Sequence, residues 1–248
     1  MCAMIDIHCH ILPDVDDGAE NMEEALAMAE IAADCGVGEL VATPHFRGIE
    51  EDLEELVLFQ RQVEKLRAAL AAEKLPLKLH PGAEILCLPE TVELAREGKL
   101  PTIGHSRYVL CEFFFDAPYG FMDDILDHIA GAGYRVIIAH PERYDAIMDD
   151  PRGARRWFHK GYVIQVNKGS ILGAFGSGAQ QAARWLLDMG CVHMVASDAH
   201  SPRRRTTDMS LVRRWLLERY PEDYVRILLE ENPARVLNNQ DMVPVDSY

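Results

Sequence analysis

Apolar runs of four or five residues recur along the chain at 4–7, 39–42, 77–80, 108–112, 135–139, 162–166 and 192–196. Their length and composition predict strands. Between them, apolar positions fall at helical spacing over 23–35, 53–73, 89–97, 122–131, 152–160 and 179–189, then over 209–219 and 224–229. These stretches predict amphipathic helices. Strand and helix in alternation predict an α/β fold with a parallel sheet covered by helices. Seven strands suggest a distorted (β/α)7 barrel, with a doubly wound open sheet as the alternative. No repeat, low-complexity tract or Gly/Ser linker breaks the rhythm, so residues 1–248 are read as one domain.

The barrel reading makes a demand on the polar residues, because barrel enzymes gather their chemistry at the C-terminal ends of the strands. After the first strand come His8, His10 and Asp17, and after the second comes His45 in Thr-Pro-His. Glu84 follows the third in Gly-Ala-Glu, and Glu112 ends the fourth. His140 opens His-Pro-Glu-Arg after the fifth, Asn167 follows the sixth, and Asp198 and His200 follow the seventh in Ser-Asp-Ala-His. A closed ring would bring residues near position 8 beside residues near position 198.

His-x-His on a strand sends both imidazoles to one face, where they can share a divalent ion. The motif alone is weak, and partly exposed or core histidines explain it equally well. Five histidines and four carboxylates at strand ends change the balance, since unneutralised carboxylates in one pocket would repel and take up protons. Three divalent ions would leave a local excess of roughly two positive charges. That matters because the formal net charge is −15, which excludes a phosphate-tracking nucleic-acid binder. A phosphoryl group can still be held at a local cationic centre. Mixed N/O donors suit manganese, iron, zinc or cobalt better than calcium or magnesium. Closely spaced ions make a bridging hydroxide available for hydrolysis of a phosphate ester.

The six cysteines form no Cys-x-x-Cys pair, and none has an arginine six positions later. Neither a thiolate zinc site, nor a disulfide framework, nor a cysteinyl-phosphate route is expected. No apolar run approaches a membrane span and no signal-like N-terminus is present, so no membrane insertion and a cytoplasmic location are expected.

The segments DIHCHILPDVDDG, TPHF, GAEI, CEF, HPERY, QVNKGSILGAFG and SDAH resemble the polymerase and histidinol phosphatase (PHP) superfamily. The likeness is greatest to its bacterial branch of manganese-dependent protein-tyrosine phosphatases linked to capsule and exopolysaccharide synthesis, and it runs from Met4 to about Leu237. It implies a distorted (β/α)7 barrel with three metal ions, manganese foremost. Carried over, the pattern gives His8, His10, Glu84 and Asp198 to one ion. Glu84 bridges to a second held with Glu112 and His140, and Asp17, His45 and His200 hold the third. Asp17 is matched as the aspartate before glycine, and Asp14 and Asp16 are read instead as residues that orient a ligand or shape the turn.

Arg143 is placed to grip phosphate with its planar fork, against the plainer reading of an ion pair with Glu142 or Asp145. The resemblance also implies a substrate-binding arginine about five residues past His200. Arg205 is chosen, although Arg203 and Arg204 adjoin it in a run that solvation alone would explain. Asn167 either orients a metal-bound water or caps the next helix. Phe113, Phe114, Phe115, Pro118 and Tyr119 offer an apolar wall or ordinary packing. His80, His105, His128, His159 and His193 are expected to be structural or solvent-facing.

The reaction expected is hydrolysis of protein phosphotyrosine, and the resemblance implies a bacterial tyrosine autokinase as partner. The alternatives are a small-molecule phosphatase, such as one acting on histidinol phosphate, and a non-catalytic phosphotyrosine-binding regulator.

Overall fold

The computed structural model describes residues 3–245. Nine strand segments occur among them. They are β1 (Met4–Cys9), β2 (Val37–Ala42), β3 (His45–Phe46), β4 (Lys78–Pro81), β5 (Glu84–Leu86), β6 (Tyr108–Glu112), β7 (Arg135–Ala139), β8 (Val163–Asn167) and β9 (Met194–Ala196). Nine segments make seven staves, because β2 runs on into β3 and β4 into β5. The first interruption falls at Thr43 and Pro44. Proline has no N–H for a ladder, and the Pro44 carbonyl instead accepts the Glu84 N–H at 3.0 Å. Thr43 accepts the Cys9 N–H on its hydroxyl at 2.9 Å and donates its own N–H to the Cys9 carbonyl at 2.9 Å. The break therefore stitches the first stave to the second.

Every neighbouring pair is parallel and in chain order, from β1 with β2 through to β8 with β9. The last stave returns to the first through a bridge between Cys9 and Ala199. Two backbone bonds reinforce it, Asp198 N–H to the His8 carbonyl and His10 N–H to the Ala199 carbonyl, each at 2.9 Å. This ring, closed by a single bridge, is the distorted seven-stave barrel expected from the sequence. A doubly wound sheet would instead reverse its strand order at a switch point.

The helices are α1 (Met22–Asp34), α2 (Glu55–Ala72), α3 (Thr91–Arg96), α4 (Tyr119–Gly131), α5 (Asp145–Asp149), α6 (Arg152–His159), α7 (Lys168–Leu172), α8 (Ser177–Asp188), α9 (Ser210–Leu217), α10 (Glu222–Arg226) and α11 (Asn232–Leu237). The start of α1 follows from its sequence: the Asn21 side chain accepts the Glu24 N–H at 3.0 Å, and Glu23 and Glu24 face the positive end of the helix dipole. Its buried Ala25, Met28, Ala29 and Ala32 repeat at helical spacing. The expected helix over 224–229 is instead α10 followed by a π-helical turn, Ile227–Glu231, which leads into α11.

Two apolar cores result. One lies between staves and helices and includes Met28, Leu66, Leu126, Trp157 and Leu186. The other gathers Ile5, Ile7, Leu110, Ile137, Ala139, Val163, Met194 and Ala196 from successive staves. Each buried aliphatic side chain of this kind contributes about 1.5–3 kcal/mol. Strand side chains repeat every second residue. Glu112 therefore continues the line of Leu110, Gln165 and Asn167 that of Val163, and Asp198 that of Ala196. The inner core is the apolar floor on which the polar site stands.

His193 sits outside that site, stacked on Phe158 with ring centroids 5.0 Å apart. Its Nδ1 accepts the Ile164 N–H at 3.0 Å, and burial lowers its pKa to about 4. The unfolded chain, with histidine near 6.5, binds the proton more readily, so stability is held above that value and lost as pH falls from 6.5 towards 4. Denaturant unfolding at pH 7 and pH 4.5 is expected to show the wild type losing on the order of 3 kcal/mol more than His193→Asn. Equal losses would remove His193 as the cause.

Candidate metal centre

The nine residues expected as ligands meet at the C-terminal ends of the staves. His8 lies in β1 and His10 just past its end, and the pairing register of the strand shifts between Asp6 and Cys9. Such irregularities re-aim side chains beside sites. His140 follows β7 with a left-handed φ of 33°, and Asp198 follows β9 with a φ of 49°. Both conformations cost energy in a non-glycine residue and cluster where function needs them. His8, His10, Glu84, His140 and Asp198 are buried, whereas Asp17 and His45 form an open rim with side chains 67% and 39% exposed.

The distances define how the donors group. His8 Nε2 and His10 Nε2 stand 3.3 Å apart. Glu84 lies 3.2 and 3.3 Å from them, and Asp198 Oδ1 3.6 Å from each. His140 Nε2 reaches Glu84 Oε1 at 2.8 Å and Glu112 only at 3.9 Å. Glu112 is closer to His45, at 2.9 Å. Asp17 Oδ1 is 3.4 Å from both His45 and His200. Four donor clusters follow, each with its donor atoms within 4.8 Å of one another: His10 with Asp17, His45 and His200; His8 with His10 and Asp198; His8 with Glu84 and His140; and His45 with Glu84 and Glu112. They overlap the division into three sites implied by the resemblance but do not reproduce it. His10 also joins the rim cluster, His8 groups with Glu84 and His140 as well as with His10 and Asp198, and Glu112 groups with His45 rather than His140.

Whether a cation fits can be read from the hydrogen bonds. Asp198, an acceptor only when ionised, takes the Asn167 Nδ2 donor at 2.5 Å. Asn167 Oδ1 then accepts from Gln165 Nε2 at 2.8 Å, which turns Gln165 Oε1 towards His8 Nδ1 at 2.9 Å. His8 must donate there. His10 Nδ1 likewise donates to Asp16 at 2.7 Å. Both Nε2 lone pairs are therefore left facing one another and two carboxylates, an arrangement that only protons or a metal cation can relieve. It is the second-sphere pattern by which metal-binding histidines are oriented.

The titration behaviour has the same origin. Burial opposes charge on His10, but bonds to Asp16 and Glu84 raise its pKa to about 9. Burial also opposes charge on His45, which Asp17 and Glu112 push up to about 11. Asp17 is held far below the carboxylate range by His200 and His45. Asp198 stays at about 2 despite its burial, chiefly through the charge of His8. A field that draws protons onto imidazoles in this way also draws divalent cations.

Gly18 makes the first loop possible. A Cβ there would lie 2.0 Å from the His10 carbonyl oxygen, and the Ala19 N–H donates to that oxygen at 3.1 Å. Any side chain would push the loop off His10. The fold-back places the three aspartates differently: Asp16 meets His10 and the His45 N–H, Asp17 faces His45 and His200, and the Asp14 side chain is in none of the clusters.

Both chosen arginines reach the same carboxylate. Arg143 lies 3.3 Å and Arg205 2.6 Å from Asp198 Oδ2. The surface pair of Arg143 with Glu142 or Asp145 is not formed. Glu142 is buried and accepts the Asn167 N–H at 3.0 Å. Arg203 and Arg204 point to another groove. Asn167 precedes α7 but makes no side-chain cap bond there: its Oδ1, the atom that would cap, accepts from Gln165, and its Nδ2 donates to Asp198. The cleft, about 290 Å³, is lined by donors, both arginines, Phe113, Phe114 and Phe115. Pro118 and Tyr119 are not part of that wall: α4 begins here, and Tyr119 stacks on Trp157 at 4.9 Å. His105, His128 and His159 are exposed, and His80 pairs with Glu39 at 2.6 Å.

Sequence reasoning missed Phe175. Its ring lies 4.3 Å from the Arg143 guanidinium and 5.5 Å from that of Arg205, while Phe115 covers Arg143 at 4.4 Å. Such contacts attract cations to the ring face. Gly169 leaves room for that ring, since a Cβ there would come within 2.6 Å of it. Gln165 was also missed as an orienting partner, although it is two residues from a candidate, whereas Asp16 orients His10 as one of its two expected roles.

The family model for capsular polysaccharide synthesis, CpsB/CapC, matches residues 4–238. The chain belongs to the CpsB/CapC family. Among its CpsB/CapC relatives, tyrosine-protein phosphatase YwqE of Bacillus subtilis is 32% identical over 96% of this chain and 92% of its own. Tyrosine-protein phosphatase CpsB of Streptococcus pneumoniae is also 32% identical, over 96% and 99%. A chain from the crystal structures of these two proteins, described as unique metal-dependent tyrosine phosphatases, superposes with a TM-score of 0.85. It is 30% identical, with 98% of each chain covered. A mutant organophosphorus hydrolase from Deinococcus radiodurans shares the fold alone, at TM-score 0.63 and 13% identity over 95% and 93%.

Proposed function

We propose that this CpsB/CapC protein is a metal-dependent protein-tyrosine phosphatase acting at the barrel mouth, with residues 1–248 forming one catalytic unit. The observation that carries the reading is the convergence of His8, His10, Glu84 and Asp198 beneath two guanidinium groups. A donor set of this kind holds cations, and arginines aimed at the same point hold an anion beside them.

His8, His10, Glu84 and Asp198 would hold one ion, Glu84, Glu112 and His140 a second, and Asp17, His45 and His200 a third, with manganese the metal favoured. His45 is near enough to Glu112 to serve the second ion as well. When bound, the ions supply an activated water at neutral pH and neutralise charge on the phosphoryl oxygens. Arg143 and Arg205 turn from Asp198 to the phosphoryl oxygens and stabilise the charge that builds there. Asn167 fixes Asp198, and through Gln165 it fixes the tautomer of His8. Phe114 and Phe115, 58% and 44% exposed, flank the path of the leaving group and favour a phenyl ring. A phenol, with a pKa near 10, departs with less help from an acid than an alcohol does.

The physiological substrate is a phosphotyrosine protein, most simply a bacterial tyrosine autokinase of polysaccharide export, met in the cytoplasm. In keeping with this, no helix among the described residues is long and apolar enough to cross a membrane.

A substrate panel tests the reading: a phosphotyrosine peptide, a generic aryl phosphate and histidinol phosphate, each with added manganese. The peptide is expected to exceed histidinol phosphate in kcat/KM by about 100-fold or more, the scale on which a polar analogue is disfavoured by a mismatched pocket. Preference for histidinol phosphate would point to the small-molecule alternative, and tight binding without turnover to a regulator.

A further inference from the structure

Beside the cleft lies a second groove, of about 560 Å³, whose lining includes Asp17, His200 and Arg205 from the cleft together with Arg203 and Arg204. We propose that Arg203 and Arg204 form a subsite for an anionic side chain next to the phosphotyrosine on the substrate chain. The inference rests on the phosphatase reading and adds to it a rule for choosing among phosphotyrosines.

Three observations carry it. The first is continuity: three residues belong to both cavities, so a peptide whose phosphate sits between Arg143 and Arg205 runs directly into the groove. The second is presentation. Ser201 Oγ donates to the Arg204 carbonyl at 2.6 Å and accepts the Arg204 N–H at 2.9 Å, and the His200 N–H reaches the Arg205 carbonyl at 2.8 Å. Lower in the same loop, Lys168 Nζ binds the carbonyls of Thr206 and Asp208, and Thr207 Oγ1 donates to the Met28 carbonyl. A segment anchored at so many points loses little entropy when it binds.

The third observation is charge. The Arg203 side chain is 84% exposed and only 3.8 Å from its nearest carboxylate, Glu24, and Arg204 has no ion pair among the described residues. On a chain of net charge −15, two such guanidiniums beside the catalytic cleft are a local positive island. The groove also holds acids. Asp16 is engaged by His10 and Asp17 by His45 and His200, while Glu20 and Glu24 line the groove and Glu24 partners Arg203. Arg204 is therefore the guanidinium left for an incoming anion, and Arg203 is shared with Glu24. Those two acids and the exposure of the arginines limit the effect to about tenfold, the product of two exposed charge pairs.

The anion could be a carboxylate or a second phosphate, and the experiment separates them. Peptides with alanine, aspartate or a second phosphotyrosine beside the scissile one are compared on the manganese-loaded wild type and on Arg203→Glu/Arg204→Glu. The readouts are kcat/KM and, by fluorescence anisotropy, Kd. The wild type is expected to favour an anionic flank by about tenfold, mainly through KM, with the preference shrinking as salt is raised. The double variant should lose that preference while turnover of a small aryl phosphate stays within about twofold. Aspartate and phosphotyrosine arms that differ identify the source. Equal constants for all flanks in the wild type, or the same loss on the aryl phosphate, overturns the subsite. Absence of aryl phosphate turnover in the wild type would instead refute the phosphatase reading, while the Kd ratios still decide the subsite.

Discussion

Asp198→Ala is expected to lower kcat/KM by about 10³-fold or more and to reduce the bound metal of the purified protein. The size follows from how many groups depend on one carboxylate. Oδ1 lies 3.6 Å from the Nε2 atoms of both His8 and His10, while Oδ2 takes Asn167, Arg143 and Arg205. Its loss removes a carboxylate from the donor cluster, frees the amide chain that sets the His8 tautomer, and leaves two guanidiniums without their anchor. Loss of a single second-sphere partner already costs 10–100-fold at metal sites, and loss of one transition-state donor 10²–10³-fold. His8→Ala is expected to behave alike. His128→Ala and His159→Ala, on exposed side chains remote from the cluster, should change neither turnover nor metal content. Elemental analysis beside steady-state kinetics checks all four; matching losses in the two sets would dissolve the assignment. Circular dichroism on Asp198→Asn, which preserves shape, separates a lost ligand from a lost fold.

These residues were legible before any coordinates because strands end abruptly in polar side chains. An apolar run closed by histidine or carboxylate, or at the sixth stave by Asn167, is a pattern that alternation and barrel topology explain together. The seven staves were legible for the same reason. Their interruptions were not, since Thr43–Pro44 and Gly82–Ala83 extend the second and third staves by only two and three residues, β3 and β5, too short to carry a period. Helices α5 and α7, five residues each, escape the helical pattern in the same way.

Within the site, the meeting of the candidate residues was legible and their grouping was not. Spacing says that Glu112 and His45 both face the mouth, but only coordinates bring them within 2.9 Å. The choice among Asp14, Asp16 and Asp17 turned on where the backbone folds back over His10, and Gly18 was the one sequence sign of that fold. Phe175 lay within the QVNKGSILGAFG segment, but nothing in its neighbours pointed to the arginines. It is a lone aromatic in a glycine-bounded loop, and its partners Arg143 and Arg205 lie about 30 residues away on either side.

Treatment with a metal chelator is expected to cut turnover by about 10³-fold or more, with recovery on adding manganese, whereas thiol alkylation should leave it within about twofold. The thiols give the second half of this prediction. Cys9, Cys87, Cys111 and Cys191 are buried, and burial raises the pKa of Cys9, Cys87 and Cys191, keeping these sulfurs protonated and poorly nucleophilic. Cys35 is partly exposed, but it accepts the Met209 N–H at 3.3 Å, and its thiol too is raised by burial. Cys2 lies outside the described residues. None of the described cysteines lines the cleft. The first half rests on charge. Four carboxylates surround the cleft on a chain of net charge −15, so without divalent cations a phosphate dianion would meet repulsion that two arginines, already paired with Asp198, do not offset. Binding of inorganic phosphate should therefore weaken with the same chelator dependence as turnover. Thiol-sensitive turnover that persists in chelator would instead require a covalent cysteine route, for which no described cysteine is positioned.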